Sequence, residues 1–151
     1  HYKEDLAGAW VLAETDPSQS TPVGTVLTAA TYQKTYPGFT LDAINSPDVT
    51  VASENAYVLV IKYARNSYNV TYNYGEAGGQ NTVSFKYGAA VPLEAPVVSA
   101  PAGKYFAGWF DAPTGGNQIT ALTVVKDATA IEMPNVPKSP KRGELNPIID
   151  K

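Results

Sequence analysis

The sequence predicts a mostly β, α+β chain with little helix, folded as two small modules in tandem. Three observations carry that reading. Ten Tyr, four Phe and two Trp stand against a single Met, and aromatic side chains favour pleated strands. Twelve Gly and twelve Pro supply frequent turns. The two halves also run in the same order: strand, turn, strand, glycine, loop, aromatic-Gly-aromatic, polar loop, β-rich strand. In that alignment Gly24 corresponds to Gly88, Gly38 to Gly108 and Val51 to about Val125, a repeat with a period of roughly 65 residues. A module of that size buries only about 60 % of its unfolded surface, so a neighbour in an array helps to stabilise it.

In the first half, His1-Tyr2-Lys3 reads as the end of a strand and residues 9–14 as the next. Asp5-Leu6-Ala7-Gly8 turns between them. Asp16 to Pro22 is a loop by composition, and residues 24–29 alternate as a third strand. Pro37-Gly38 marks a turn between Tyr36 and Phe39. Residues 42–48 form a polar loop. The run Tyr57-Val58-Leu59-Val60-Ile61-Lys62-Tyr63 is the strongest strand signal, fit for a central strand buried on both faces. Ala64-Arg65-Asn66 is a short polar joint with no flexible linker, so adjacent modules are expected at a restrained angle.

In the second half, residues 67–74 alternate with Tyr68, Val70, Tyr72 and Tyr74 on one face. A glycine-rich hairpin loop leads to a return strand with Val83, Phe85 and Tyr87 on one face. Three prolines between Val91 and Pro101 limit any helix there to a short one. The run Lys104-Tyr105-Phe106-Ala107-Gly108-Trp109-Phe110 reads as a core strand, with Trp109 buried and no room for a side chain at Gly108. A Pro113-Thr114-Gly115-Gly116-Asn117 turn and a strand over residues 123–131 follow.

Tyr68-Asn-Val-Thr-Tyr72, Lys86-Tyr87-Gly88, Tyr105-Phe-Ala-Gly-Trp-Phe110 and Val125-Lys-Asp-Ala-Thr129 together resemble the Listeria–Bacteroides repeat, the internalin B-repeat, over about residues 67–132. That family closes on a Tyr-Ala-Lys-Trp-like strand. Here Ala130-Ile131-Glu132-Met133-Pro134 stands instead, so a different ending is expected. His1-Tyr2, Leu12-Ala13-Glu14-Thr15, Val23-Gly24-Thr25, Tyr36-Pro-Gly-Phe39 and Val58-Leu59 with Tyr63-Ala-Arg-Asn-Ser-Tyr68 resemble, less strongly, the repeat of the mucin-binding-protein family of Gram-positive surface proteins. The resemblance implies a first strand that starts several residues before His1, as in a fragment of a longer chain. Both families imply small β-grasp, ubiquitin-like modules in secreted, wall-attached adhesins at the bacterial cell surface. The expected layout is residues 1–66, residues 67–134 and a Pro-rich, basic tail or linker over residues 135–151.

Chemistry is sparse. With no cysteine, disulfides, thiolate nucleophiles and Cys-based zinc sites are excluded. The only histidine is His1, which leaves little to build a Ser-His-Asp triad or a His-rich metal site. Net charge is −3, and no Lys/Arg cluster interleaves with the aromatics, which disfavours nucleic acid. No run reaches the roughly 18 apolar residues of a membrane span. Asp42, Asn45 and Asp48 are oxygen donors without EF-hand spacing. Gly75-Glu-Ala-Gly78-Gly79 lacks the Lys-Ser/Thr of a phosphate loop. The carboxylate pairs Glu4-Asp5 and Glu14/Asp16 sit in turn-like contexts, and Lys62 or Lys86 would be the lysine of an intramolecular isopeptide bond. No catalytic, metal or cofactor residue is assigned. The expected function is a rigid, non-catalytic spacer that adheres weakly to host glycans, surface proteins or neighbouring repeats. The alternative is a module that binds mucin-type glycans or a host protein through exposed aromatics such as Trp10, Tyr32 or Tyr36.

Overall fold

Described for residues 1–126 and 129–134, the computed structural model is mostly β, as the aromatic and β-branched composition predicts. The chain divides into one unit over His1–Asn66 and a second that begins at Ser67. Asp127, Ala128 and the predicted tail lie outside the described residues.

The first unit opens with a hairpin of β1 (Tyr2–Glu4) and β2 (Trp10–Leu12). Its turn is held by Asp5, whose Oδ1 accepts the Ala7 and Ala9 N–H groups at 2.9 and 2.8 Å. Strand β3 (Val26–Leu27) is shorter than expected, because the helix α1 (Ala29–Tyr32) begins at once. The Thr28 side chain caps α1 by accepting the Thr31 N–H at 3.3 Å. Strands β4 (Phe39–Leu41), β5 (Val49–Thr50) and β6 (Lys62–Arg65) complete the unit. The main sheet runs β2-β1-β6-β4, with β6 parallel to β1 and antiparallel to β4. β3 and β5 form a separate pair.

The expected strand over residues 57–63 is corrected on its extent. β6 is central, but it starts at Lys62 and continues through Ala64 and Arg65, the supposed joint. Tyr2 stands opposite Lys62, and no described strand lies alongside residues 57–60. Side-chain preference alone does not make a strand without a partner ladder. Val58 is accordingly 77 % exposed, whereas Ile61 and Tyr63 are buried with Ala29 in the core of this unit.

The second unit pairs β7 (Ser67–Asn73) with β8 (Gln80–Lys86) over seven consecutive residues. A short 3-10 turn at Gly75–Ala77 lies between them. Strand β9 (Thr129–Glu132) returns parallel to β7, giving the order β8-β7-β9. The core gathers Val70, Val91, Trp109, Val124, Ile131 and Met133. Met133, whose N–H bonds the Asn73 carbonyl at 2.9 Å, occupies the point where the chain ends differently.

The aromatic run is also corrected. Trp109 is buried at 2 % exposure, but residues 104–109 are not a strand, and only Phe110 bridges, to Gln118 and Glu132. Gly108 explains the break. Its φ of +110° lies outside what a continuing strand of L residues adopts, and a Cβ there would stand 2.7 Å from Gln118 Nε2. Of the strand expected over residues 123–131, the described residues show a bridge at Thr123 and strand β9.

Equivalent pairings close both units. Gly24 N–H bonds the Val51 carbonyl at 2.7 Å and Val51 N–H bonds Thr25 at 2.9 Å. Gly88 N–H bonds Val124 at 2.6 Å and Val124 N–H bonds Ala89 at 3.0 Å. The counterpart of Val51 is thus Val124, not Val125. Val51 and Val124 are buried, while Val125 is 59 % exposed. The Val26–Thr50 pair of the first unit recurs as the Ala90–Thr123 bridge, and Thr40–Ala64 as Phe110–Glu132.

Candidate functional site

A concavity opens in the first unit. A groove of about 300 Å³ lies between the loop after β2 and residues 57–61. Leu12, Leu59 and Tyr32 give it apolar surface, while Asp16, Gln19 and Tyr57 add polar atoms. Tyr57 is fixed by its own oxygen, which accepts the Ala52 and Ser53 N–H groups at 3.2 and 3.1 Å. Hydrogen bonding with the Ser53 hydroxyl and these amides pulls its phenol below the ordinary range.

A polar network adjoins the groove. The His1 side chain is only 5 % exposed. Its Nε2 lies 2.9 Å from Asp16 Oδ2, and its Nδ1 lies 2.9 Å from the Tyr63 hydroxyl. A carboxylate only accepts, so Nε2 carries the hydrogen, and in the neutral ring Nδ1 accepts from Tyr63. The Tyr63 oxygen in turn accepts the Lys34 N–H at 2.7 Å. Lys34 Nζ bonds Asp16 and lies 2.9 Å from Glu14 Oε2, and Tyr36 donates its hydroxyl to Glu14. These bonds set the protonation of the cluster. Tyr36 and then Lys34 hold the Glu14 carboxyl below its usual range. Asp16 and Glu14 push the Lys34 ammonium up. Burial, then the bond to Glu14, raises the Tyr36 phenol to about 12.

Carboxylate, imidazole and phenol in line are the elements of a proton relay. Here the Tyr63 end is closed. Tyr63 is 1 % exposed, and both partners of its oxygen are protein groups, so no substrate atom reaches it. The cluster binds the loop after β2 to β6 and to the segment before β4.

Of the three candidate aromatics, Tyr32 and Tyr36 both pack against the Ala29, Ile61 and Tyr63 core. Tyr32 lines the groove. Tyr36 packs edge-on to Tyr63 at 4.8 Å, with the Lys3 ammonium 4.8 Å from its ring centroid. Trp10 faces the Lys62 ammonium at 5.2 Å. All three are half-buried. Asp42 spends its oxygens on the Asn45 N–H and amide at 3.1 and 2.7 Å, which lowers its carboxyl. Among the described residues no group of His, Asp or Glu is placed to hold a metal. Glu4 proves to be in a strand rather than a turn, where it accepts the Arg65 N–H at 2.8 Å.

Comparison of the chain with protein-family models, curated proteins and solved structures gave no match. What the sequence missed is the role of Lys34, Tyr63 and Asp16. The signal was slight: an isolated Lys two residues before Tyr36, and acidic residues on the loop it must hold. Tyr57 was visible only as a strand former.

Proposed function

We propose that the chain is a non-catalytic segment of a secreted bacterial surface adhesin, two β-grasp-like modules serving as a rigid spacer with weak host adhesion. The observation that carries this reading is the shared build of the two units. Each has an antiparallel hairpin, a final described strand parallel to the first, and the same glycine-to-valine closure. A hairpin whose first strand is joined by a parallel return strand is compatible with a β-grasp sheet and supports the resemblance to the internalin B-repeat and mucin-binding families. A chain that repeats one small β unit, with one residue between β6 and β7, suits length and spacing better than turnover. Small-angle scattering tests it: an extended particle with one fixed inter-unit distance is expected, and two halves that tumble independently overturn it.

A second reading rests on the groove. Tyr32 and Tyr57 offer ring surface, and Asp16 and Gln19 offer hydrogen-bonding groups, a mixture that suits a sugar. A glycan array with the recombinant chain separates the two. Reproducible binding abolished by Tyr32→Ala supports the sugar site, and a blank array leaves the spacer.

A further inference from the structure

The charge around the groove of the first unit is one-sided. Asp16 lies on its wall, and no Lys or Arg lines it. The cations of that unit are engaged elsewhere. The Lys34 ammonium bonds Asp16 and lies 2.9 Å from Glu14 Oε2. Lys3 stands over the Tyr36 and Phe39 rings, Lys62 stands over Trp10, and Arg65 Nε donates to the Glu4 carbonyl. The amine of His1, a lining residue, donates to the Glu14 carbonyl at 2.9 Å. Asp16, by contrast, keeps spare capacity. A carboxylate accepts at roughly four sites, and Asp16 has one partner on each oxygen, Lys34 and His1 Nε2. Gln19 adds an amide that both donates and accepts, while Tyr32 and Leu59 give apolar surface.

Building on the sugar reading of this groove, we propose that it selects an uncharged hexose at the end of a glycan and rejects acidic sugars, with Asp16 setting the preference. Sugar hydroxyls donate as well as accept, so they meet the open acceptor sites of Asp16 while the C–H face of the ring covers Tyr32 or Leu59. A uronic or sialic acid brings a carboxylate instead. On entry that group gives up water and finds no cation to replace it, and it meets the like charge of Asp16. At about 300 Å³ the groove is at the small end of ligand sites, which span roughly 300–1,000 Å³. It therefore takes a chain end rather than a branch point. A glycan whose end is capped by an acid is refused, and removing the cap exposes a ligand.

The test follows amide shifts of the whole chain during titration with methyl glucoside and methyl galactoside, and with methyl glucuronide and methyl galacturonide. The two neutral glycosides are expected to bind with Kd of roughly 1–10 mM and to move amides within residues 15–19 and 57–61, which line the groove. The two acids should bind about tenfold more weakly. Two variants then shift the ratio. Gln19→Lys places an ammonium on an exposed part of the wall and is expected to bring the acids level with the neutral glycosides. Asp16→Asn keeps the shape without the charge and is expected to narrow the ratio from the other side, by weakening the neutral glycosides. Equal binding of acid and neutral glycosides by the parent overturns the selectivity and leaves the sugar reading standing, as does a ratio that either variant leaves unchanged. Failure of both neutral glycosides to bind, or shifts confined to other residues, overturns the sugar reading along with it.

Discussion

Trp109 packs edge-on against Tyr72 and Phe106, at ring-centroid distances of 5.2 and 5.7 Å, and tilted against Tyr74 at 6.2 Å. Its indole N–H donates to the Glu94 carbonyl at 3.1 Å, so the one polar atom of a buried ring is satisfied. Trp109→Ala should cost roughly 3–5 kcal/mol, enough to unfold a unit of this size, and chemical denaturation measures it. Gly108→Ala acts through the backbone. The end of Gln118 can swing away, but φ stays at +110°, so a loss of about 1–3 kcal/mol is expected. The Glu14 cluster predicts a pH profile. Tyr36 and Lys34 hold Glu14 below 4.5, so its contribution is present above pH 4.5 and lost as the pH falls through its lower folded value. Tyr36 is raised from 10.0 to about 12, so its contribution is present below pH 10 and lost as the pH climbs through about 12. Melting curves of Glu14→Gln should show a flatter acid limb than the parent. The burial of Trp109 was legible because a large apolar ring has few alternatives. The cluster was not, because its members come from separated segments and only folding brings them within bonding distance.

At the scale of elements, the sequence shows where strands are wanted but not where their partners stop. Residues 57–61 have the strongest β preference in the chain, yet the ladder beside β1 begins at Lys62. Amide exchange should therefore be fast at Val58, Leu59 and Val60 and slow at Tyr63 and Ala64. Equal protection across the run would show a longer strand. Residues 104–110 failed for another reason: Gly108 turns the backbone, and the aromatic side chains pack as a loop over the sheet. α1 was hidden because Ala29-Ala30 continues an apolar stretch, and only the Thr28 cap marks the change of period. The hairpins were readable, since alternation and glycine turns are local signals. The parallel return strands were not, since they join residues some 60 apart.

For the whole molecule, two separate cores carry the stability. Trp10 lies in the first unit and Trp109 in the second, so each unit has its own fluorescent reporter. In Trp109→Ala the second unit should lose its structure while the ring signals of His1, Tyr36 and Tyr63 stay native in NMR spectra. Collapse of both sets would show that the first unit depends on the second.

The parallel neighbours described above, β1 with β6 and β7 with β9, have a mechanical consequence. Tension along the chain enters a unit at the start of its first strand and leaves at the end of its last described one. Because those strands run the same way side by side, the pull slides one along the other and loads the bonds between them together. Peeling from one end, in which bonds break one after another, is not open to this geometry. Each unit is thus placed to resist stretching more than its modest size and short strands would indicate.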